Sequence, residues 1–536
     1  MTLSPRFVLP ALALAVLPGL AATATAAAHP TGVPTFTAPT RADDPAVSTG
    51  LYPQEPATIV AADGTRYVAY QLGSQLSYTR DGGRTWMHPG GKDMLTHGVS
   101  GCTPAKDIGD VDLAADRGGR VYFGDLQATA GGTLDNGIQP IVATSENHFR
   151  TYGGTCVAHQ PFLVDREWLA TYSPPGTTSA HTRVYLSYHD FGPDAMWVNV
   201  STDGGKTWGL PTDVLTDVAS ATGGFCDTVP AGTAVDPKTG WVYVAWAAGP
   251  NSANNVLTGC NETQDTVFNN FWVGVSKDGG LTWKATKVFT GPDNTTSAPD
   301  DMSEIFGTIG TSRQGDVYVG WIGYQNGAYG AYLSHSRPAD SGNALHFSTP
   351  VKVSSAEART AYYVRLVAGD RGRVDLIYLG TRVHDVPVTP ANLLAYQGGE
   401  GRVDCQPAVR DPGNKGVRAL GKPCELPATT RWQLHLVQTL DADSPHPHLS
   451  DQLLRKDPVH PGDLCTLGIN CLSHDNRDIT DVNDIKIDAT GGFQVAYTAE
   501  NNTRTHNEVD FQCQTGGPGL FAGVRVKSCR AGAAGS

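Results

Sequence analysis

Short stretches of alternating hydrophobic and polar residues recur along the chain, and a period of two predicts β-strands. An alternating stretch, a glycine-containing turn and a second stretch rich in Val, Tyr and Trp form a recurring hairpin. Seven such hairpins can be counted, at 58–62 with 67–70, 111–115 with 121–124, 168–172 with 184–188, 233–236 with 242–246, 306–310 with 317–321, 364–368 with 374–378, and 485–488 with 493–497. No long stretch has a helical period. The pattern therefore predicts an all-β fold made of repeated hairpins.

A shorter repeat follows three of these hairpins. Its copies end at Trp86, Trp208 and Trp283 and share the letters D-G-G-x-T-W, while looser copies lie at 145–152 and 334–347. An aspartate can accept hydrogen bonds from the amides ahead of it, and the two glycines accept positive φ. The segment therefore predicts a tight turn after which the Trp returns to the core of the sheet.

This segment resembles the Asp box of the sialidase and BNR-repeat proteins. The resemblance implies a β-propeller in which three strands, a box and a fourth strand make one blade. Seven hairpins then predict seven four-stranded antiparallel blades, and six blades, the number in catalytic sialidases, is the alternative. The segment 34–48 is expected to complete the last blade. In that family the boxes lie on the rim away from the active site, so their aspartates are expected to be structural.

The beginning of the chain has the features of an export signal. Arg6 precedes an apolar run over 7–20, and small residues follow over 22–28. We predict a signal peptide at 1–28 and a single propeller domain at 29–536, secreted as a monomer without a membrane span. The net charge is −13 and no Lys/Arg cluster could follow a phosphate backbone, which excludes nucleic acid as a partner. An extracellular glycan or glycoconjugate is the expected partner, with no cofactor.

Ten cysteines in a secreted chain predict disulfides that pin inserted loops to the propeller. Neighbours along the chain suggest one pairing: Cys102 with Cys156, Cys226 with Cys260, Cys405 with Cys424, Cys465 with Cys471, and Cys513 with Cys529. No C-x-x-C pair is present, which disfavours a metal site made of cysteines. A cluster of His446, His448, His460 and Asp463 is a weaker metal hypothesis, and we expect no metal.

The residues just before the first strand of each blade are expected to meet a ligand, because inner strands begin at the mouth of the central funnel. The candidates for catalytic roles are Glu55, Asp110, Glu304, Tyr362 and Tyr363. The candidates for substrate binding are Arg166, Arg365, Arg477, Asp165, Asp227 and Trp168. Three arginines from three blades could hold the carboxylate of an acidic sugar such as sialic acid. The alternative is that each arginine pairs with a carboxylate of the protein itself.

The resemblance implies a sialidase-type site with an arginine trio, a tyrosine nucleophile activated by a glutamate, and an aspartate acid/base. Catalytic sialidases usually carry their first arginine in a Phe/Tyr-Arg-Ile-Pro segment, whereas this chain has Tyr-Pro-Gln-Glu-Pro at 52–56. Two hypotheses therefore stay open. One is a secreted glycoside hydrolase or other glycan-cleaving enzyme, and the other is a non-catalytic glycan- or protein-binding propeller. Two carboxyl groups about 5 to 10 Å apart, or a Tyr–Glu contact beside the arginines, would favour hydrolysis.

Overall fold

The computed structural model describes most of the chain from residue 32 onward. The described residues are 32–48, 53–71, 75–89, 99–100, 104–129, 138–157, 164–190, 195–218, 228–249, 268–291, 302, 306–326, 328–384, 409–410, 417–418, 426, 428–464, 479, 481–500, 507–526 and 529. Residues from Gly32 onward form one compact unit. Within the described part, no helix has the length and apolar character needed to cross a bilayer. The predicted signal peptide at 1–28 lies outside the described residues.

Nearly all regular structure is β-strand, as the period of two predicts. The strands in chain order are β1 (Thr35–Phe36), β2 (Thr40–Arg41), β3 (Gln54–Val60), β4 (Arg66–Gln71), β5 (Gln75–Thr79), β6 (Val99–Ser100), β7 (Pro104–Ala115), β8 (Val121–Thr129), β9 (Ile138–Ser145), β10 (Gly153–Cys156), β11 (Val164–Tyr172), β12 (Arg183–Asp190), β13 (Met196–Ser201), β14 (Thr212–Asp213), β15 (Thr228–Val235), β16 (Val242–Ala248), β17 (Asn270–Ser276), β18 (Lys284–Thr290), β19 (Thr308–Thr311), β20 (Val317–Gln325), β21 (Ala328–Ser336), β22 (Val351–Lys352), β23 (Thr360–Ala368), β24 (Val374–Thr381), β25 (Val409–Arg410), β26 (Val417–Arg418), β27 (Arg431–Thr439), β28 (Ser450–Leu453), β29 (His460–Pro461), β30 (Asp484–Ile487), β31 (Phe493–Glu500) and β32 (Asn507–Gly516). The described helices are α1 (Pro45–Ser48) and one 3₁₀ turn (Ser179–His181).

These strands form seven antiparallel blades, each built from neighbours in the sequence. The blades are A (β3-β4-β5), B (β7-β8-β9-β10, with β6 parallel to β10), C (β11 to β14), D (β15 to β18), E (β19 to β22), F (β23-β24-β27-β28, with β29 beside β27) and G (β30-β31-β32). In blade A an isolated bridge between Tyr78 and Met87 takes the place of a fourth strand. The seven-bladed prediction is therefore confirmed over the six-bladed alternative.

The first strands of the seven blades form a closed ring. Each of β3, β7, β11, β15, β19, β23 and β30 packs on the next, and β30 packs on β3. The N-terminal strands β1 and β2 close the ring by pairing with β32, where they form the outer edge of blade G. This confirms that 34–48 completes the last blade, and it covers an edge that would otherwise be open to other chains.

The three repeated turns fold alike. In the second copy, Asp203 accepts hydrogen bonds from the amides of Lys206 and Thr207, both at 3.0 Å, and from the Thr207 hydroxyl at 2.6 Å. Its two glycines have φ of +74° and +83°. The fourth, looser copy makes the same turn around Asn147, with His148 and Phe149 in the left-handed region where the others have glycine.

Each turn also docks on the preceding blade. A Cβ added to Gly280 would lie 2.6 Å from Val200 Cγ2 of blade C, so this position admits no side chain without movement. Trp283 donates from its indole to Thr212 of the same neighbouring blade at 3.0 Å. In the first copy, Trp86 packs edge-on against Phe511 of blade G. The tryptophans therefore lie in the layer between blades, where we expected them in the core of their own sheet.

One predicted disulfide is present in full among the described residues, between Cys513 of β32 and Cys529, with 6.0 Å between their Cα atoms. Cys156 is disulfide-bonded as well. The other predicted pairs include cysteines outside the described residues.

Candidate functional site

The first strands of blades A, C and F share a bulge near their start. One residue of each bulge is left-handed although it is not glycine: Glu55, Arg166 and Tyr363 have φ of 50°, 48° and 57°. Asp481, which precedes the first strand of blade G, is left-handed too, with φ of 40°. In blades A, C and F the pairing register shifts at this point. A non-glycine residue in this region costs about 1 to 3 kcal/mol, and such residues concentrate at functional sites. The fold therefore holds three side chains in strained positions that are equivalent in their blades, and Asp481 is a further left-handed residue beside blade G.

Side chains from these strands meet across the central channel. Arg166 Nη1 lies 3.4 Å from Glu55, although blade B separates their blades. Arg365 of blade F reaches the carbonyl of Ala231 in blade D at 3.4 Å, past blade E. All seven blades contribute to this channel cluster, which we define as Glu55, Asp110, Arg166, Trp168, Ala231, Phe306, Arg365 and Asp484.

Glu55 and Asp110 form a carboxyl pair on one guanidinium. Arg166 Nη1 is 3.4 Å from a carboxylate oxygen of each. The two carboxyl groups are also hydrogen-bonded to each other, so one of them carries a proton. Burial raises the pKa of Glu55 well above its usual value, and the neighbouring Asp110 and Asp481 raise it further against the opposing effect of Arg166. The raised pKa of Glu55 favours its protonated form.

Two guanidinium groups stack on one indole. The guanidinium carbon of Arg166 lies 4.2 Å from the centre of the Trp168 ring, and that of Arg365 lies 4.1 Å from it. Phe306 of blade E packs edge-on against the same indole, with ring centres 6.2 Å apart. Stacking on an aromatic face favours the charged guanidinium in a buried position. These contacts fill the channel with a charged and aromatic plug.

Asp484 links Arg365 to the ring. Its Oδ1 lies 3.6 Å from Arg365 and 3.0 Å from Lys486, while its Oδ2 accepts from the backbone amide of Thr58 in blade A at 2.9 Å. Asp112 in blade B likewise accepts a hydrogen bond from the backbone amide of Leu169 in blade C, at 2.6 Å. These two aspartates therefore tie neighbouring inner strands together.

The structure places the two tyrosine candidates in different surroundings. Tyr363 stands at the strained bulge position that Glu55 and Arg166 occupy in their blades. Tyr362, by contrast, packs among Tyr329 and Trp432, with ring centres 5.5 and 5.3 Å away. The bulge register favours Tyr363 as the tyrosine of the site.

The remaining predicted residues are placed less centrally or lie outside the described part. Asp165 accepts from the amide of Arg166 at 2.9 Å and lies 3.9 Å from His189, with its side chain about one-third exposed. Glu304, Asp227 and Arg477 lie outside the described residues, so their predicted roles stay predictions.

The candidate residues did not include Phe306 and Lys486, which the structure places in this region. Glu167 follows Arg166 in the first strand of blade C, and burial raises its pKa well above its usual value, with Asp110 adding to the effect. The signal that could have pointed to Phe306 and Lys486 is their position beside the first strands of blades E and G.

The predicted absence of a metal site stays a prediction. No group of three or more potential ligands stands together among the described residues. The histidines of the weaker metal hypothesis are dispersed: His448 pairs with Asp441 at 2.7 Å, whereas the buried His460 contacts Glu500 at 2.9 Å.

No protein-family model and no curated protein matches the sequence. Among solved structures, an α-L-arabinanase of Penicillium chrysogenum complexed with arabinobiose is similar with a TM-score of 0.41 and 13% identity, over 66% of this chain and 98% of that one. An α-L-arabinofuranosidase of Fusarium graminearum has a TM-score of 0.40 and 16% identity, over 64% and 92%. The intramolecular trans-sialidase of Ruminococcus gnavus has a TM-score of 0.38 and 11% identity, over 91% and 98%.

Proposed function

We propose that this protein is a secreted propeller of the Asp-box (BNR-repeat) type that hydrolyses a glycosidic bond of a neutral extracellular glycan at the channel cluster. The observation that carries the proposal is the set of left-handed Glu55, Arg166 and Tyr363 at the bulges of three inner strands. Left-handed residues other than glycine also occur in the structural turn at His148 and Phe149, so strain alone does not indicate a function. What supports a function is that Arg166 and Glu55 meet across the channel, in contact with Asp110.

Glu55 has the protonation state required of a general acid. Its pKa is raised well above the ordinary value by burial and by Asp110, so it holds a proton at a pH where an exposed glutamate has lost it. Donating this proton to the glycosidic oxygen would allow the leaving sugar to depart as an alcohol. We assign the nucleophilic role to Tyr363, whose phenolic oxygen bonds to the anomeric carbon as the alcohol departs and whose proton passes to solvent. Water then cleaves the glycosyl–tyrosine bond and restores the phenol, and Glu55 regains its proton from solvent. Arg166 positions the pair of carboxyl groups.

The electrostatics favour a neutral sugar over sialic acid. Arg166 is already compensated by Asp110 and also contacts Glu55, and Arg365 is compensated by Asp484. A substrate carboxylate would therefore have to displace protein carboxylates that burial holds in place, and it would meet the additional negative charge of Asp481. Of the three predicted arginines, the two that lie in described parts of the chain thus follow the alternative in which the protein supplies the partner.

The variant Glu55→Gln tests the assignment. Glutamine keeps the shape of the protonated acid but has no proton to transfer, so we expect turnover to fall about 10²- to 10⁴-fold with little change in melting temperature. The assay is release of 4-methylumbelliferone from its α-arabinofuranoside, β-xyloside, β-galactoside and sialoside. Glu146→Gln, which removes an exposed carboxylate on the rim, is the matched control. Unchanged activity of Glu55→Gln on a hydrolysed substrate would rule out the general-acid role.

The two tyrosines supply a second comparison. Tyr363→Phe is expected to lose turnover while Tyr362→Phe retains it, because Tyr362 packs within an aromatic cluster. The pH profile of the parent enzyme should fall on the alkaline side as Glu55 loses its proton, in keeping with the raised pKa. Hydrolysis of the sialoside alone would contradict the preference for a neutral sugar and leave the hydrolase proposal standing.

One observation favours the second candidate function, a glycan- or protein-binding propeller without turnover. The side chains of Arg166 and Glu55 are only 1% and 2% exposed, whereas Asp110 is 12% exposed. A ligand would then contact the rim of the plug and leave its interior untouched. The outcome that supports this candidate is saturable binding of a glycan together with no release from any of the fluorogenic glycosides.

A further inference from the structure

A separate cavity of about 300 Å³ lies at one end of blade F, outside the channel cluster. It is bounded by the end of β24 at Gly380, by Gln433 and His435 of β27, by Asp451 of β28 and by the segment at Ser355 that precedes β23. The inner strand of blade F begins at this end, so the cavity opens on the same face of the propeller as the bulges of the channel cluster. Its volume is at the lower end of the range of pockets that bind small molecules.

A buried relay fixes the imidazole that faces this cavity. His435 Nδ1 lies 2.8 Å from Asp451 Oδ1, and the Tyr378 hydroxyl donates to Asp451 Oδ2 at 2.5 Å. The Tyr378 hydroxyl in turn accepts from the amide of Ser355 at 3.0 Å. Since the carboxylate accepts from both neighbours, Nδ1 carries the hydrogen and the lone pair of a neutral imidazole is on Nε2.

The neighbouring strand makes room for this orientation. His435 and Tyr378 are directly opposite in the β24–β27 register, and their rings stack with centres 4.5 Å apart. A Cβ added to Gly380 would lie 2.8 Å from His435 Nε2. Among the described residues, His435 Nε2 has no hydrogen-bond partner, and His435 lines the cavity, so this nitrogen is available to a ligand there.

The other polar groups around the cavity are those that pair with hydroxyl groups. Glu357 and Arg382 form an exposed ion pair at 2.6 Å on its wall, and Gln433 contributes an amide. Asp451 and Glu357 supply two carboxyl groups against the single guanidinium of Arg382, which disfavours an anion. Several hydroxyl donors on one small ring would satisfy these planar groups together.

We propose that this cavity is a second carbohydrate subsite, in which a hydroxyl of a neutral sugar residue donates to His435 Nε2. Binding here requires no catalysis at the channel cluster, so the site stands whether or not the proposed hydrolase function does. Its position on the same face suits a glycan that extends outward from the axis.

The test follows the ring nitrogens of ¹⁵N-histidine-labelled protein by NMR during titration with the methyl glycosides of glucose, galactose, xylose and arabinose. We expect at least one of them to shift the His435 Nε2 resonance in a saturable way. His448 is the matched control, because it forms another His–Asp pair, with Asp441 at 2.7 Å, but is largely exposed and lines no part of this cavity. Its resonances should stay in place.

Two variants separate the site from its surroundings. Asp451→Asn, which removes the anion that orients the imidazole, should weaken the affinity about tenfold or more, equivalent to about 1.4 kcal/mol. Glu55→Gln should leave it unchanged. The proposal is overturned if no glycoside shifts His435, if His448 shifts equally, or if Zn²⁺ alone gives the only saturable response, which would make the cavity a metal site.

Discussion

Buried ionisable residues set the chemistry of this propeller at the scale of single side chains. The proton on Glu55 and the compensated charge of Arg166 both result from channel-crossing contacts that no local sequence pattern contains. Asp375 of β24 is a further case, remote from the channel cluster. It is fully buried, with one oxygen bound by Gln438 Nε2 at 2.9 Å, and burial raises its pKa to about 7 although the bond from Gln438 lowers it.

Asp375 should make the protein less stable as the pH rises. Its folded-state pKa of about 7 lies above the ordinary value of an aspartate, so the fold binds the proton more tightly than the unfolded chain does. The contribution of Asp375 to stability is therefore greatest below about pH 4, declines up to pH 7 and is level above it, with a total loss of roughly 4 kcal/mol.

The variant Asp375→Asn mimics the protonated side chain and should remove that decline. Urea denaturation at pH 5 and pH 8 measures it, and the variant is expected to exceed the parent at pH 8 by more than at pH 5. Asp457→Asn, at an exposed position, should follow the parent at both values. An equal decline in Asp375→Asn and parent would show that Asp375 is not the group responsible.

At the scale of elements, the repeated turn is a docking device as well as a reversal of the chain. Gly280 must accept both a φ of +94° and the side chain of Val200 from the preceding blade. The fourth copy meets the same backbone requirement with His148 and Phe149, and it places aromatic rings against Tyr67 of blade A. The repeat therefore sets the spacing between blades through the second residue of its glycine pair.

Gly280→Ala should be more destabilising than a positive φ alone explains. A left-handed alanine costs about 1 kcal/mol, and crowding of Val200 should bring the total to about 2 to 4 kcal/mol. Gly176→Ala is the matched control, because Gly176 has a φ of +78° but open space around its missing Cβ. The measurement is the free energy of unfolding in urea. Equal losses in the two variants would show that docking on blade C contributes nothing.

The elements were largely predictable from sequence, whereas the site was only partly so. Alternation and glycine turns are local signals, which is why the seven hairpins and the closing role of 34–48 were found. Choosing Tyr363 over Tyr362 requires the bulge, because a one-residue shift in register moves a side chain to the other face. Arg166 binds Glu55, which lies two blades away and 111 residues earlier in the sequence, and Asp110 of the neighbouring blade B.

At the scale of the whole molecule, stability depends on one seam between blade G and the N-terminal strands. Asp43, which follows β2, accepts from the amide of Val509 in β32 at 2.9 Å and binds Arg41 at 2.7 Å. Its side chain is fully buried, so its loss would leave the Val509 amide without this acceptor. Arg41, whose side chain is 26% exposed, would keep only the longer contact with Glu508 at 3.4 Å as an ion pair. The ring is held shut by this contact together with the pairing of β1 and β2.

Asp43→Ala should open the seam selectively. We expect a loss of about 3 to 5 kcal/mol, the range for removing one partner of a buried pair. Amide hydrogen exchange should accelerate first in β32 and β31 and last in blades C and D. Glu357→Ala, which breaks an exposed ion pair with Arg382, should cost less than about 1 kcal/mol. Uniform acceleration in all blades would contradict a local seam.

The pairing of β1 with β32 also orders the events of folding. The outermost strand of the last blade is made first during synthesis, and its partner at Gly516 is made some 480 residues later. The hairpins of blades B to F can form as each blade is synthesised. The strands β1 and β2, however, can pair only after β32 has been synthesised. Because contacts so distant in sequence form slowly, the newly made chain passes through a period as an unclosed arc, and a second chain could then take the place that β1 and β2 later fill.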